Sequence, residues 1–429
     1  MKTYDRMKDS GYPWMGEIPA HWRDINPKAL FKQRKERAKE GERQLTASQQ
    51  YGVLYQDEYM ALTGSRVVVV QKDFDILKHV EAGDFVISMR SFQGGLEYSP
   101  VSGSISSAYV MLIPNKELVH PPFYKWLLKS SAYIRALQST TDLVRDGQAM
   151  RFSNFAKVRL LTAPLEEQTA IAAYLDSNCA QIDSAIEEAK TGIEKIKKWK
   201  ASIIFEAVTK GLNRDVEFKD SRDPRLGMVP TTWKLVKVKQ VAKINPATDT
   251  SGLTPETEVT FAPMECIRTD KRIERHATMS DNTSSYSTFN EGDIALAKVT
   301  PCFQNSNVCM MVNLKNGFAF GSSELFNIRA LSINPRYLLY YFMTDGFKNG
   351  GVASMTGVAG LQRVSSTYIR NALIPFPPEE EQKRIVDYLD ARCKTVDELV
   401  VEKTALISDL ESYKRSLIYE AVTGKRKVV

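Results

Sequence analysis

The feature that most constrains this chain is that it is written twice. Residues 10–22 read SGYPWMGEIPAHW and residues 221–233 read SRDPRLGMVPTTW. Ser10, Pro13, Gly16, Pro19 and Trp22 thus recur at one fixed offset as Ser221, Pro224, Gly227, Pro230 and Trp233. Further on, Glu166, Glu167, Gln168, Ile171, Tyr174, Leu175, Asp176, Cys179 and Asp183 recur as Glu380, Glu381, Gln382, Ile385, Tyr388, Leu389, Asp390, Cys393 and Asp397. FEAVTKG from Phe205 is matched by YEAVTGK from Tyr419. A period this long implies two copies of one structural unit. Each copy holds a short leading motif, a variable region (residues 23–163 and 234–377) and a long segment of mixed polarity.

The long segments, 165–210 and 379–424, read as helices. They lack internal proline, Gly192 is their only internal glycine, and each starts just after a proline. Glu166, Glu167, Glu380 and Glu381 fall in the first turns, where carboxylates oppose the positive helix end. Val396, Leu399, Lys403, Leu406, Leu410, Tyr413 and Leu417 step by three and four, as a heptad seam does. Ile182, Ala185, Ala189, Gly192, Ile196, Trp199 and Ile203 occupy the same positions in the first copy, small where the second is large. The expected pairing is antiparallel, which gives each helix end its own domain. The leading motifs read as irregular segments anchored by Trp22 and Trp233. Glu81-Ala82-Gly83-Asp84 and Glu291-Gly292-Asp293 precede short β-like runs at 85–88 and 294–297, and Val67 to Val70 reads as another strand. The predicted fold class is α+β: two similar mixed domains joined by two long antiparallel helices in a coiled coil, with pseudo-two-fold symmetry. The expected boundaries are 1–164 for the first domain, 165–212 for the first spacer helix, 213–378 for the second domain, and 379–429 for the second spacer helix and tail.

Composition excludes more than it selects. The 429 residues are 43% hydrophobic and 25% charged, an ordinary globular mix. No apolar run approaches ~18 residues, so no membrane span is expected. The first residues lack the apolar core of a signal peptide, which makes a cytoplasmic protein the expectation. The net charge of +7 permits a polyanionic partner without requiring one. Five cysteines without a C-x-x-C pair and four scattered histidines speak against a zinc site or a disulfide framework. There is no glycine-rich phosphate loop, G-x-S-x-G or H-E-x-x-H. His120-Pro121-Pro122-Phe123-Tyr124 approaches the Asn-Pro-Pro-Phe/Tyr element of adenine methyltransferases, but it starts with His and reads as a proline-started helix with aromatic core contacts.

The variable regions do hold side chains suited to nucleic acid. Arg90-Ser91-Phe92-Gln93-Gly94-Gly95 follows a predicted strand, and the run from Lys298 through Thr300 to Gln304 and Asn305 takes the same place in the second copy. Arg or Lys suits guanine, Gln or Asn suits adenine, and Ser or Thr suits either. A second group precedes each long helix: Arg145, Gln148 and Arg151 in one copy, Gln362, Arg363 and Arg370 in the other. Singly, each is read as a solvated surface residue; as paired loops in equivalent places they point to DNA. The basic run 32–37 and the tail Lys425-Arg426-Lys427 are open to either reading.

Together, the repeated G-x-(I/V)-P-x-x-W, the E-G-D landmark, the P-x-E-E-Q-x-x-I-x-x-Y-L-D helix start and the E-A-V-T-x-G/K exit resemble the DNA specificity subunit of type I restriction–modification systems. The resemblance covers essentially the whole chain. It implies that each variable region is a target-recognition domain reading one half of a gapped double-stranded DNA sequence. The helices would set the gap and dock two modification (methyltransferase) subunits, with Glu206 and Glu420 as candidate docking positions near the helix exits. S-adenosylmethionine would reside in the modification subunits, and ATP in restriction/translocase subunits that could join the assembly. The chain itself would bind no cofactor or metal and catalyse nothing. Two rivals stay open: a DNA methyltransferase or nuclease with an unrecognised site, and a protein scaffold without a DNA role.

Overall fold

The computed structural model describes residues 3–67, 76–140, 150–282, 284–357 and 362–428. The chain forms two compact units. One is Met1–Lys190 together with Thr404–Val429, and the other is Thr191–Lys403. Each unit is therefore larger than a variable region, because it also takes part of both long helices.

Each unit holds a four-stranded antiparallel sheet of the same order. In the first it runs Phe31–Arg34, Val110–Pro114, Phe85–Ile87, Glu97–Tyr98. In the second it runs Ala242–Ile244, Leu325–Ala330, Ile294–Ala297, Val308–Met310. The E-G-D landmark turns the chain into the third strand of each order. Gly83 and Gly292 have φ of 99° and 83°, a left-handed turn that glycine adopts without strain. The aspartate that follows is buried and ion-paired. Asp84 accepts from Arg34 Nε at 2.6 Å, and Asp293 from Arg329 Nε at 2.7 Å. The two arginines come from different strands, so the pair recurs although its residue positions do not.

The variable regions differ in what is added to this sheet. The second carries another four-stranded sheet, His276–Thr278, Glu258–Ala262, Phe318–Gly321, Ser287–Asn290, whose central pair is parallel. The first carries small hairpins instead, such as Leu45–Ser48 with Gly52–Tyr55. The strand expected at Val67 to Val70 lies, beyond Val67, outside the described residues.

The repeated blocks are the clamps of each unit. The leading motif is not irregular: Met7–Asp9 pairs with Glu17–Pro19, and Phe218–Asp220 with Met228–Pro230, around positive-φ turns at Gly16 and Gly227. Trp22 and Trp233 follow, both fully buried. The strand after each tryptophan pairs with the strand that precedes a long helix, Arg23–Ile25 with Leu160–Thr162 and Lys234–Lys237 with Leu373–Phe376. Both ends of each variable region are thereby held together at the helix start. There, Trp22 Nε1 donates to Glu167 and Trp233 Nε1 to Glu381, each at 2.9 Å. Gln168 Oε1 accepts from the amide of His120, and Gln382 Oε1 from that of Asn334, each at 2.8 Å. Trp126 Nε1 donates to Asp176 at 2.9 Å, and in the second copy Tyr340 OH donates to Asp390 at 2.5 Å. Phe123 and Tyr124 of the His-Pro-Pro run are buried on the helix Pro121–Leu127, as core packing requires.

The long helices are Leu165–Lys210 and Glu379–Val422. In the first unit the start of one lies along the end of the other, antiparallel. Arg426 reaches Tyr174 at 3.3 Å and Lys414 reaches Asp183 at 2.6 Å. In the second unit Lys200 donates to Asp397 at 2.7 Å, and a Cβ added at Gly192 would sit 3.6 Å from Lys403. The heptad register differs from the one expected. Leu399, Leu406, Tyr413 and Trp199 are 40–51% exposed. The covered positions of the second helix are Val396, Val400, Lys403, Ile407, Leu410, Lys414 and Leu417, and those of the first are Ile182, Ile186, Ala189, Ile193, Ile196, Lys200 and Ile203. Lysine stems fill the seam while their heads reach carboxylates or solvent. Each helix ends at a glycine with φ near 70°, Gly211 and Gly424. Gly211 lies against the Trp233 ring, and Gly424 against Pro19 and the Trp22 ring.

Candidate nucleic-acid interface

In the second unit, residues that are far apart in sequence meet at one rim. Lys298 and Thr300 continue the strand Ile294–Ala297 and run beside Gln362–Val364. The Thr300 amide donates to Gln362 O at 3.0 Å, and the Val364 amide to Lys298 O at 2.9 Å. Thr300 Oγ1 accepts from the Gln362 amide at 3.1 Å. A third segment, Ser322–Glu324, closes against both. The Lys298 amide donates to Glu324 O at 2.8 Å, and Arg363 grips the Glu324 carboxylate through Nε at 2.9 Å and Nη2 at 2.7 Å. The arginine hydrogen bond holds Glu324 below the usual carboxylate range.

The predicted side chains at this rim differ in availability. Gln304, Asn305, Gln362, Arg363 and Arg370 are exposed. Lys298 is half-buried over the Phe326 ring, and its ammonium donates to Ser323 O at 2.7 Å. Burial lowers its pKa. Its place is therefore inside the rim, bracing the Ser322–Glu324 turn, rather than on the outer surface. Phe303 is buried against Gly351, which fixes the Gln304–Asn305 loop by an apolar anchor. Beside that loop stands a basic hairpin that the sequence reading passed over. Strands Ile267–Arg268 and Lys271–Arg272 pair, and Thr269 Oγ1 donates to Asn305 O at 3.1 Å. Arg268 and Lys271 are exposed. The run IRTDKRIER, with four basic residues in nine, is the signal that could have found it.

The corresponding loop of the first unit is built on the same plan. Phe92 is buried and Gln93 exposed, as are Phe303 and Gln304. Arg90 is exposed at the start of the short helix Ser91–Gly94. Ser91 is a correction: it is 1% exposed, and its hydroxyl accepts from the Ser88 amide at 2.8 Å, so it shapes the loop from within. Gln49 Nε2 donates to Arg90 O at 3.0 Å, Gln138 Nε2 to Phe92 O at 2.8 Å, and Lys129 Nζ to Gln49 O at 3.0 Å. Lys129 also pairs with the buried Glu97 at 2.6 Å, whose pKa burial raises. A Cβ on Gly95 would meet Leu128 O at 2.2 Å, so this turn needs glycine. Arg151 is exposed, whereas Arg145 and Gln148 lie outside the described residues.

The remaining charged candidates have internal partners. Glu206 accepts from Arg214 at 2.6 Å, and Glu420 from Arg426 Nη2 at 2.8 Å. The tail is structural: Lys425 Nζ donates to Met15 O at 2.6 Å. In the basic run 32–37, Arg34 is committed to Asp84. Among the described residues, no cluster of His, Cys, Asp and Glu could hold a metal ion, and no helix is long and apolar enough to cross a membrane.

Residues 230–407, which include the whole second rim, match the family described as the type I restriction modification DNA specificity domain. Over this stretch, less than half of its length, the chain is similar to that specificity domain. Among its curated relatives, the EcoAI specificity subunit of Escherichia coli is 35% identical over 205 residues, 47% of this chain and 34% of the relative. The EcoEI specificity subunit of E. coli is 36% identical over 174 residues, 39% of this chain and 28% of the relative. The chain thus spans about a third of the length of these two relatives. The MjaVIII specificity subunit of Methanocaldococcus jannaschii is 22% identical over 385 residues, 86% of this chain and 83% of the relative. The fold also recurs in solved structures. One chain, from work on complex assembly and conformational transition of the type I R-M system, aligns with a TM-score of 0.69 at 14% identity, covering 94% of this chain and 98% of that one. The HsdS subunit from Thermoanaerobacter tengcongensis aligns with a TM-score of 0.54 at 16% identity, covering 95% and 98%.

Proposed function

We propose that this chain is the DNA-reading specificity subunit of a type I restriction–modification complex, with each unit reading one half of a gapped duplex target. One observation carries the reading: the clamps around Trp22 and Trp233 share the tryptophan–glutamate and glutamine–amide bonds at the helix start, while the loops they support differ. Matching scaffolds with different loops suit two different half-sites presented to two identical partners. Base-edge contacts would come from Arg90, Gln93, Gln304, Asn305, Gln362 and Arg363, and phosphate contacts from Arg268 and Lys271. Two methylating subunits would dock on the repeated helices, near Glu206 and Glu420. They would bring S-adenosylmethionine and flip the target adenine. Restriction subunits would bring ATP. This chain supplies position and sequence choice, and neither catalysis nor a cofactor. The test is whole-genome methylation sequencing of the host with and without the gene. Loss of a two-part, gapped adenine-methylation motif is the expected result. If a motif of another form disappears, the two-domain reading is wrong.

A further inference from the structure

Arg363 offers a guanidinium whose two edges are already distinguished. Its Nε–Nη2 edge lies on the Glu324 carboxylate at 2.9 and 2.7 Å. The adjoining Nη1–Nη2 edge carries two further parallel N–H groups, turned away from those on the carboxylate. The side chain is 55% exposed, and Glu324, at 28%, lies deeper. Glu324 is in turn fixed from behind, since its carbonyl accepts from the Lys298 amide. The Arg363 backbone is held as well, by reciprocal amide–carbonyl bonds with Thr356 at 2.9 and 3.1 Å. An arginine immobilised on one edge presents the other as a rigid two-donor fork. In the major groove that fork matches the N7 and O6 acceptors of guanine.

We infer that Glu324 is the positioning residue that orients Arg363 to read a guanine in the second half-site. This rests on the DNA-reading role proposed above. The device is confined to one unit. The residue after Ser322-Ser323 is Glu324, whereas the residue after the matching Ser106-Ser107 is Ala108. Among the described residues Arg90 makes no ion pair. The first half-site is therefore an internal control.

The experiment selects from a random duplex library with the full chain in the complex isolated from its host, for the wild type, Arg363→Ala, Arg363→Lys, Glu324→Gln and Glu324→Asp. The wild type selects a second half-site with a fixed G·C pair. Arg363→Ala and Arg363→Lys lose that preference by ~10-fold or more, within the range for a bidentate base contact. Glu324→Gln loses it by a similar factor although the arginine remains, and Glu324→Asp keeps part of it. Binding of Glu324→Gln to unrelated DNA becomes tighter, since a negative charge has left a basic rim. A purely structural glutamate would instead weaken both kinds of binding together. Glu324→Gln with the preference intact overturns the positioning role, and Arg363→Lys with it intact overturns the guanine reading. A wild type that selects no sequence at all removes the DNA-reading role itself, which the variants then cannot restore.

Discussion

Glu167 gathers three groups: Trp22 Nε1 at 2.9 Å, Tyr4 OH at 2.8 Å and His21 Nε2 at 2.5 Å. Burial alone would raise its pKa, but hydrogen bonds from Trp22, His21 and Tyr4 bring it below the usual carboxylate range. A depressed acid contributes stability that is fully present above the unfolded glutamate value of about 4.3 and is lost as pH falls through the lower folded value. Glu167→Gln should therefore flatten the acid limb of the unfolding curve, read by tryptophan fluorescence between about pH 5 and 3. An unchanged limb would mean that this clamp does not contribute. At the second rim, Arg268→Ala and Lys271→Ala should each weaken binding to all duplexes alike and reduce the salt slope by about one. A loss confined to one sequence would mark a base contact instead. Residues of this scale were unevenly legible. The exposure of Gln93 and Gln304 could be read, because each sits in a polar loop after a strand. Glu324 could not, because its role depends on two segments that meet only in the fold. Ser91 looked like a base reader from its neighbours, yet a hydroxyl so close to a tight turn is taken by the turn's own amides.

At the scale of elements, both long helices were readable to within about two residues, since proline, acidic first turns and a closing glycine bracket them. Their inner faces were not. Leu399, Leu406 and Tyr413 form a row as regular as the true one, and the inner row contains Lys200, Lys403 and Lys414. Counting apolar letters favours the wrong row whenever lysine stems do the covering. Gly192, next to the seam position Ile193, has only the flexible end of Lys403 near it, at 3.6 Å or more. Gly192→Ala should therefore stabilise the second unit by ~0.5–1 kcal/mol, from helix propensity and a less flexible unfolded chain. Thermal unfolding should move up by about 1–3 °C. A decrease would show that the lysine cannot yield.

On the proposed reading, the whole molecule divides function between what is repeated and what is not. If the helices are spacers, lengthening both by one turn, near Gly192 and near Lys403, should change the gap in the methylated motif and leave both half-sites as they were. Altered half-sites would contradict the spacer role. The division into two units also sets an order of events during synthesis. The second unit is continuous in sequence, Thr191–Lys403. The core of the first includes Leu417, Ala421 and Val422. Of the two units, the one that leaves the ribosome first is thus completed second. Its open face must wait for roughly 230 more residues, about 10–50 s at ~5–20 residues per second. During that time Trp22, Ile182 and Ile186 lack their final cover, so the earlier-made of the two units stays open to chaperones and proteases while the other folds.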